Sequence, residues 1–489
     1  MSPRLALRLS STTTFEAEAS DEITLVGGLE GAAWRPRVTL KQLTPGLMKA
    51  IKGLAAGDKS VSELSASVIA SDGFAAIGKL RVFLKKIEEH AFIQYDLFLD
   101  DGLALSLVPV SLSFRRAEKL IDPTTKYVLS RFSYERRDEA GRLVVASPTS
   151  HAVVYVQQPK IALALFKLGQ PASVEEVAVA AGMDLESATF ALEALANAGA
   201  IEAVSEAGTT RADTDPALGQ WAFADLLFHT SSRLGRHSNP FGATQRNAAR
   251  GFSGLPILKS KMSDQITQLP RPDMELRSQG PSFSDVLENR RTVRTYGDKP
   301  ITLDQLGEFL YRSARIKKVV EAGGVTWRPS PGGGGIHETE LYPIVMGCEG
   351  LGVGAYHYNP MDHTLERLAA NEGDLYKVIE MARMAAMLDQ PAQVLLVIAA
   401  RFQRIQNKYD SVGYSVMMKN IGALYQTMYL VAESMGLAGC ALGGGDSDLF
   451  TKISGTDYYA ETSIGEFLLG SGPDPRPAPL TPPARMARS

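Results

Sequence analysis

The segment Tyr414–Met435 constrains the fold more than any other part of the chain, because apolar residues lie on most faces of the helix that it would form. A helix that is apolar all round is buried, so we expect it in a core or in a dimer interface. Small residues follow it and lead through Leu442 into Gly443 and Gly444. Glycines allow a backbone to approach a ligand closely, so this glycine turn is a candidate binding element.

The composition narrows the class of protein. A chain of 489 residues is too long for one ordinary core. The formal net charge of −3 argues against a protein that binds along a nucleic-acid backbone. Two cysteines cannot form a disulfide framework, so a reducing compartment is the simpler expectation. The seven histidines show no metal-binding spacing, and we therefore expect no metal site.

The sequence does not predict a membrane anchor or an export signal. The longest purely apolar run, Val394–Ala400, is far too short to span a bilayer. The N-terminal residues lack an apolar core followed by a cleavage site, so they do not resemble a signal peptide. We therefore predict a soluble, cytoplasmic protein with no membrane partner.

Helix and strand signals divide the chain into modules. Capping boxes at Ser60–Glu63 and Ser173–Glu176 predict helix starts, and turn residues at 100–102 predict a hairpin. A helix, a short helix, a longer helix and a strand, in that order, are typical of a winged helix-turn-helix. We predict an α+β protein with winged-helix-like modules at 1–110 and 111–206, a linker at 207–280, an α+β domain at 281–472 and a disordered tail at 473–489.

The first group of candidate site residues is an arginine knot, residues 290–294, which contains Arg290, Arg291, Thr292 and Arg294. Arginine forks match phosphate oxygens in a bidentate manner, and a threonine hydroxyl adds a neutral donor. The alternative is a solvated basic turn, because short basic motifs are common. Taken alone, the knot favours that alternative.

The second group is a glycine loop, residues 329–335, which contains Pro329, Ser330, Gly332 and Gly333. A backbone without Cβ atoms can lie close to a flat ring and direct N–H groups at it. Flexible loops also contain such runs of glycine, so the loop by itself is weak support for a binding site. We expect His337, which follows the loop, to form structural hydrogen bonds rather than to act as a base.

Lys408 and Tyr409 form a candidate proton-transfer pair. A neighbouring ammonium stabilises a phenolate and lets a tyrosine act as a base near neutral pH. The alternative is two adjacent surface residues, which is the better expectation for any isolated Lys-Tyr pair.

The order of these elements is more specific than any one of them. The knot, the Pro-Ser-Gly loop, the Lys-Tyr pair and the glycine turn follow one another as in the nitroreductase-like flavoproteins. More narrowly, the chain resembles the azoline oxidases, which are the thiazole and oxazole dehydrogenases of peptide natural-product pathways. Residues 226–237 are similar to a signature of that group, and the resemblance covers about Arg131 to Gly472.

This resemblance implies a homodimer in which a nitroreductase-like domain at 281–472 binds FMN at the subunit interface. It implies that the knot holds the phosphate and ribityl chain, and that the glycine loop approaches the ring from the second subunit. Leu442, Gly443 and Gly444 would present their backbone to the ring. Lys408 and Tyr409 match the pair to which that family's proton step is credited. The family usually has serine where the knot has Thr292. The family also has a basic phosphate ligand near the end of the chain, for which Arg476 is the candidate.

The predicted function is the FMN-dependent dehydrogenation of peptide thiazolines or oxazolines to thiazoles or oxazoles in the maturation of a ribosomal peptide. The implied partners are a precursor peptide and a cyclodehydratase, which the N-terminal modules would bind. Two alternatives stay open: a generic NAD(P)H-dependent nitro or quinone reductase, and a winged-helix regulator that senses flavin. The long N-terminal extension disfavours the first. Residues 188–200 contain no Lys or Arg, which disfavours the second.

Overall fold

The computed structural model describes residues 3–27, 35–57, 59–100, 102–273, 275 and 280–474. The chain forms two compact units, Met1–Phe241 and Gly242–Ser489. The division lies inside the stretch 207–280, which was predicted as a linker. Both units contain helices and strands, and this confirms the predicted α+β class.

Unit 1 is built around an antiparallel sheet. Its strands are β1 Arg4–Leu9, β2 Thr14–Glu18, β3 Glu22–Val26, β4 Arg37–Lys41, β5 Ile93–Leu99, β6 Gly102–Pro109, β7 Tyr127–Leu129, β8 Tyr134–Arg137, β9 Leu143–Ala146, β10 Ala152–Val156 and β11 Ile201–Ala203. Six of them form a sheet in the order β1-β5-β6-β10-β9-β8. The strands β5 and β6 confirm the predicted hairpin. Because β6 pairs with β10, one sheet continues across the predicted boundary at residue 110.

Two helices of unit 1 begin at the predicted capping boxes. The helix bounds of the unit are Pro45–Gly53, Val61–Asp72, Ala76–Glu89, Pro159–Lys167, Val174–Ala181, Leu185–Asn197, Arg211–Thr214 and Phe223–Ser231. Both predicted capping boxes are present, so the first N–H groups of two helices have side-chain partners. Three helices followed by β11, which pairs with β7, match the predicted element order between 159 and 203. The winged-helix assignment and its module boundaries stay predictions.

Unit 2 contains a seven-stranded antiparallel sheet in the order β12-β19-β18-β16-β20-β22-β21. The strands of the unit are β12 Ile266–Gln268, β13 Ile301–Thr302, β14 Lys318–Val320, β15 Val325–Trp327, β16 Thr339–Val345, β17 Cys348–Glu349, β18 Gly354–Asn359, β19 Thr364–Arg367, β20 Val394–Arg401, β21 Ala438–Leu442 and β22 Glu461–Gly470. The strand β12 lies within the predicted linker. It pairs with β19, which gives part of that stretch a place in the sheet.

Helices cover both faces of this sheet. Their bounds are Arg246–Ala249, Phe283–Asn289, Leu303–Ala314, Glu372–Ala386, Phe402–Gln406, Gly413–Ser434 and Ser447–Ser454. Alternate residues of β20 enter two separate cores, since successive strand side chains point to opposite faces. Among the described residues, no helix has both the length and the apolar character needed to cross a bilayer.

The long helix, Gly413–Ser434, confirms the predicted element at 414–435. Five of its apolar residues are buried, as the apolar pattern predicts: Met417, Ile421, Leu424, Met428 and Val431. The helix is not buried on every side, however, because Lys419, Gly422 and Gln426 are exposed. One side packs on the sheet and a narrow strip remains open.

Candidate functional site

The arginine knot lies against the second half of the long helix. The Thr292 hydroxyl is 3.1 Å from the hydroxyl of Tyr429. That same tyrosine oxygen accepts a hydrogen bond of 2.8 Å from the backbone N–H of Ala441. The Arg290 guanidinium lies over the Tyr429 ring, 5.3 Å from its centroid. Tyr429 therefore joins the knot to strand β21, which ends at the glycine turn.

Backbone contacts hold the knot along the same strand. The N–H of Val293 donates to the carbonyl of Gly439 at 3.1 Å. Burial raises the pKa of the Cys440 thiol. The positive charge of Arg294 and its hydrogen bond with the thiol lower that pKa in part. Arg291 is half-buried, whereas Arg294 is exposed. The structure thus places Val293 and Arg294 against β21. It places Arg290 and Thr292 against Tyr429, which is itself bonded to that strand.

The glycine turn has open space beside it. A Cβ atom added at Gly443 or Gly444 would meet no atom within 4 Å. Leu442, which precedes them, is buried, and its carbonyl lies 3.5 Å from the Tyr425 hydroxyl. A flat ligand could approach the two exposed glycines without displacing a side chain. The knot therefore packs beside strand β21, and the glycine turn follows the end of the same strand.

A buried carboxyl lies behind the turn. Glu466 is opposite Leu442 in the β21–β22 ladder and is 5% exposed. Its side chain occupies the space that a Cβ at Gly445 would need. Burial raises the pKa of Glu466 to about 7, and a hydrogen bond with Ser463 opposes this shift. Sequence reasoning missed Glu466, although an acidic residue within the apolar run 464–469 is a usable signal.

The glycine loop contacts the Lys-Tyr pair. A Cβ at Gly334 would lie 2.7 Å from the Tyr409 hydroxyl and 3.5 Å from Nζ of Lys408. The Lys408 ammonium lies over the Tyr409 ring, 5.5 Å from its centroid. Both side chains are half-buried. The pair is therefore part of a packed site rather than two residues on an open surface.

Three side chains that the sequence analysis did not select hold this loop in place. Asn420 accepts a hydrogen bond of 2.9 Å from the N–H of Gly333. Its amide nitrogen donates to both carboxyl oxygens of the fully buried Glu338, at 2.9 and 3.0 Å. Burial raises the pKa of Glu338, and the Asn420 hydrogen bond opposes that shift. Arg404 donates to the carbonyl of Ile336 at 2.7 Å. A polar residue on a largely apolar helix could have indicated Asn420.

The remaining loop residues lie in the same region. Ser330 is buried and Pro329 is half-buried. A Cβ at Gly332 would lie 2.9 Å from Nδ1 of His337. Burial, followed by the Arg328 guanidinium, lowers the pKa of His337 to about 4. The ring is therefore neutral near pH 7, and the structural role expected for His337 stays a prediction.

Within one copy of the chain, the predicted residues form two groups on opposite faces of the long helix. The glycine loop contacts Asn420, whereas the knot contacts Tyr429. With 3.6 residues per turn and a rise of about 1.5 Å per residue, these two positions differ by about 180° around the axis and about 13.5 Å along it. The structure therefore joins the knot to the turn and the loop to the Lys-Tyr pair, but it separates these two groups.

Two predictions concern other parts of the site. Within the described ranges, no group of three or more His, Cys, Asp or Glu residues is placed to hold a metal ion. Arg476, the candidate late phosphate ligand, and residues 475–489 of the predicted tail lie outside the described residues.

Two family models match the chain. Residues 127–238 match the cyanobactin oxidase ThcOx model, and residues 287–470 match the nitroreductase family. A putative nitroreductase of Methanocaldococcus jannaschii is 30% identical over 161 residues, which cover 33% of this chain and 78% of that protein. The microcin B17-processing protein McbC of Escherichia coli is 30% identical over 115 residues, which cover 22% of this chain and 42% of McbC.

Solved structures also resemble the chain. A putative nitroreductase from Ralstonia eutropha has a TM-score of 0.34 and 22% identity, and the match covers 45% of this chain and 96% of that chain. The E. coli microcin synthetase McbBCD complex with truncated pro-MccB17 bound has a TM-score of 0.31 and 19% identity, covering 47% and 88%.

The chain belongs to the nitroreductase family, as the M. jannaschii relative and the match at 287–470 show. This confirms the predicted C-terminal domain and the oxidoreductase class, and it makes a flavin the expected cofactor. The match at 127–238 confirms the narrower resemblance to the cyanobactin-oxidase type.

Proposed function

We propose that this protein is an FMN-dependent azoline dehydrogenase that converts peptide thiazolines or oxazolines to thiazoles or oxazoles during maturation of a ribosomal peptide. The observation that carries the proposal is the packing of the glycine loop against Lys408 and Tyr409 in a member of the nitroreductase family. The similarities to a cyanobactin oxidase and to a microcin B17-processing protein support the peptide substrate.

The proposed FMN site combines the two groups of residues. The knot offers guanidinium groups and a hydroxyl, which suit a phosphate and a ribityl chain. Gly443 and Gly444 offer exposed backbone with free space beside it, which suits a flat ring. A bound flavin supplies two-electron redox chemistry, and the protein supplies position and electrostatics. The proposed residues are Arg290, Arg291, Thr292, Arg294, Pro329, Ser330, Gly332, Gly333, Leu442, Gly443 and Gly444.

A homodimer would bring together the two groups of site residues, which lie on opposite faces of the long helix within one copy. The knot and turn of one copy would meet the loop and the Lys-Tyr pair of the second copy. The exposed strip at Lys419, Gly422 and Gln426 would let two such helices approach each other, because glycine leaves room for a neighbouring backbone. We therefore propose that each site contains residues of both copies.

The proposed reaction removes two hydrogens from the azoline ring. Tyr409 accepts one of them as a proton, and the Lys408 ammonium nearby stabilises the negative charge of the phenolate that must accept it. The second hydrogen would leave with an electron pair, and a flavin held by the knot and the glycine turn would supply the acceptor for that pair, with dioxygen as the final oxidant. The packed loop excludes water on one side of the tyrosine and fixes its position.

The proposed function also implies a substrate and a partner enzyme for this protein. The substrate would be a precursor peptide whose Cys, Ser or Thr residues a cyclodehydratase has already cyclised. The N-terminal modules would bind the peptide or that partner enzyme. We keep the cytoplasm as the proposed location, because the chain carries no disulfide framework.

The first experiment is the visible spectrum of the purified protein, followed by identification of the released chromophore. The spectrum of an oxidised flavin with FMN released on denaturation, together with conversion of a thiazoline peptide to a product two mass units lighter (about 2 Da), is the expected result. A protein that neither contains nor takes up FMN would contradict the proposal.

A reductase of small nitro or quinone compounds is the second candidate, because the M. jannaschii relative is named a putative nitroreductase. Rapid bleaching of the flavin by NAD(P)H, without conversion of azoline peptides, would favour it. Slow bleaching together with azoline conversion would favour the dehydrogenase.

A further inference from the structure

A large groove in unit 1 is lined by residues between 113 and 236 and has a volume of about 1000 Å³. Its lining includes the buried side chains of Phe114, Ile201 and Leu226. Trp221 and Leu234 line it as well and are 38% and 71% exposed. An accessible indole and leucine above a buried apolar base can receive a bulky apolar side chain.

One wall of the groove is fixed by Arg131. Its guanidinium donates to the carbonyls of Ala212, Leu218, Gly219 and Trp221 at distances of 3.1 to 3.2 Å. Beneath this wall, Phe132, Ala212 and Leu226 form a small core of their own. The wall is therefore ordered before a ligand arrives, which reduces the entropy lost on binding.

The charged residues of the groove are mainly cationic. Four arginines line it: Arg115, Arg211, Arg233 and Arg236. Arg233 is exposed, and its guanidinium forms no hydrogen bond or ion pair with a residue in the described part of the chain. Arg211 is 82% exposed and lies 3.9 Å from Asp215, which is a weak, solvated pair.

The two acidic residues of the lining are engaged in local structure. Glu202 accepts hydrogen bonds from the Ser130 hydroxyl and, at 2.8 Å, from the N–H of Ala212. Asp215 accepts from the N–H groups of Ala217 and Leu218 at 2.9 and 2.8 Å. These carboxylates hold the wall, and they leave Arg233 available to an external anion.

We propose that this groove binds an acidic peptide segment with one bulky apolar side chain. Carboxylates of the segment pair with Arg233 and Arg211, while the apolar side chain packs on Trp221 above Leu226. The apolar base favours a peptide over a nucleic acid, whose backbone would leave it uncovered. The inference deepens the proposed function, because an enzyme of peptide maturation must hold its precursor, but it concerns binding and not turnover.

Fluorescence anisotropy with the full chain tests the proposal. The probes are two labelled synthetic peptides of equal length, one of alternating Glu and Leu with a central Phe, and one with Lys in place of Glu. We expect the acidic peptide to bind more tightly, and added salt to weaken it. Arg233→Glu should weaken binding about tenfold, and Arg211→Glu should weaken it in the same direction.

Arg81→Glu is the matched control, because Arg81 is exposed on the helix Ala76–Glu89 of the same unit and does not line the groove. It should leave the affinity unchanged, and equal thermal unfolding midpoints would show that all three variants fold. Absence of binding by the acidic peptide, equal binding of the lysine peptide, or equal behaviour of Arg233→Glu and Arg81→Glu would each overturn the proposal.

Two further comparisons distinguish peptide binding in this groove from nucleic-acid binding and from the proposed enzymatic function. A labelled single-stranded oligonucleotide that binds more tightly than the acidic peptide, and loses affinity in Arg233→Glu, would assign the groove to nucleic acid instead. The peptides contain no azoline, so failure of azoline turnover or of FMN uptake would refute the proposed function without changing this measurement.

Discussion

Gly334 lies directly against the side chain of Tyr409, where a Cβ atom would stand 2.7 Å from the tyrosine hydroxyl. Gly334 also has a φ of +61°, in the left-handed region that favours glycine. Two independent constraints, one steric and one conformational, thus require glycine at this position. The glycine loop therefore fits the Lys-Tyr pair rather than merely lying near it.

We expect Gly334→Ala to reduce azoline turnover by at least tenfold, because the loop or the tyrosine must move to admit the methyl group. Gly78→Ala is the control for adding a methyl group elsewhere, since Gly78 is exposed on the helix Ala76–Glu89 and a Cβ there meets no atom within 4 Å. Steady-state kinetics with flavin-saturated protein measure the effect. Unchanged turnover in Gly334→Ala would show that the contact does not position Tyr409.

Lys408→Ala and Tyr409→Phe should both keep the flavin but lose turnover by about a hundredfold or more, as expected for removal of a proton-transfer group. The flavin spectrum of each variant reports cofactor content, and single-turnover kinetics report the chemical step. Full activity in both variants would remove the pair from the mechanism.

Thr292→Val should weaken FMN binding, because it replaces the hydroxyl that lies 3.1 Å from Tyr429 with a methyl group. The expected loss is about tenfold, since a hydrogen bond contributes about 1 kcal/mol or more. Thr292→Ser keeps the hydroxyl and should bind FMN nearly as well as the natural protein. Titration of the apoprotein with FMN measures both, and equal affinities in the two variants would contradict a role for this hydroxyl.

Asn420→Ala should destabilise unit 2 by about 2 kcal/mol or more, because it leaves the buried Glu338 without two donors and the Gly333 N–H without its acceptor. Lys299→Ala, which changes an exposed residue outside the proposed site and the proposed dimer contact, should change stability by less than about 0.5 kcal/mol. The thermal unfolding midpoint checks both. A similar shift in the two variants would show that the Asn420 hydrogen bonds contribute little.

Stability should depend on pH through Glu466, whose pKa is raised by burial from 4.5 to about 7. Between these values the folded state holds a proton that the unfolded state has released, so the free energy of unfolding falls as pH rises. The slope is up to about 1.4 kcal/mol per pH unit. Glu466→Gln should lose this slope, whereas Glu321→Gln, which changes an exposed carboxylate, should keep it. Identical pH profiles of all three proteins would show that Glu466 ionises normally.

Local signals in the sequence predicted the elements well. Ser60 and Ser173 begin helices through capping boxes, and the apolar positions of the long helix are buried, because capping and hydrophobic periodicity act over a few residues. The order of the knot, loop, pair and turn was enough to indicate the family. The capping and periodicity signals depend on neighbours in the sequence, and the family signal depends only on the order of short motifs along the chain.

The sequence by itself determined the element types, the oxidoreductase family and the residues to consider. Only the tertiary structure decided that Gly334 meets Tyr409, that Asn420 joins Gly333 to Glu338, and that the knot and the loop occupy opposite faces of one helix. The physical reason is that these contacts join residues far apart in the chain. Their distances and their burial exist only once the sheet and the long helix have packed together.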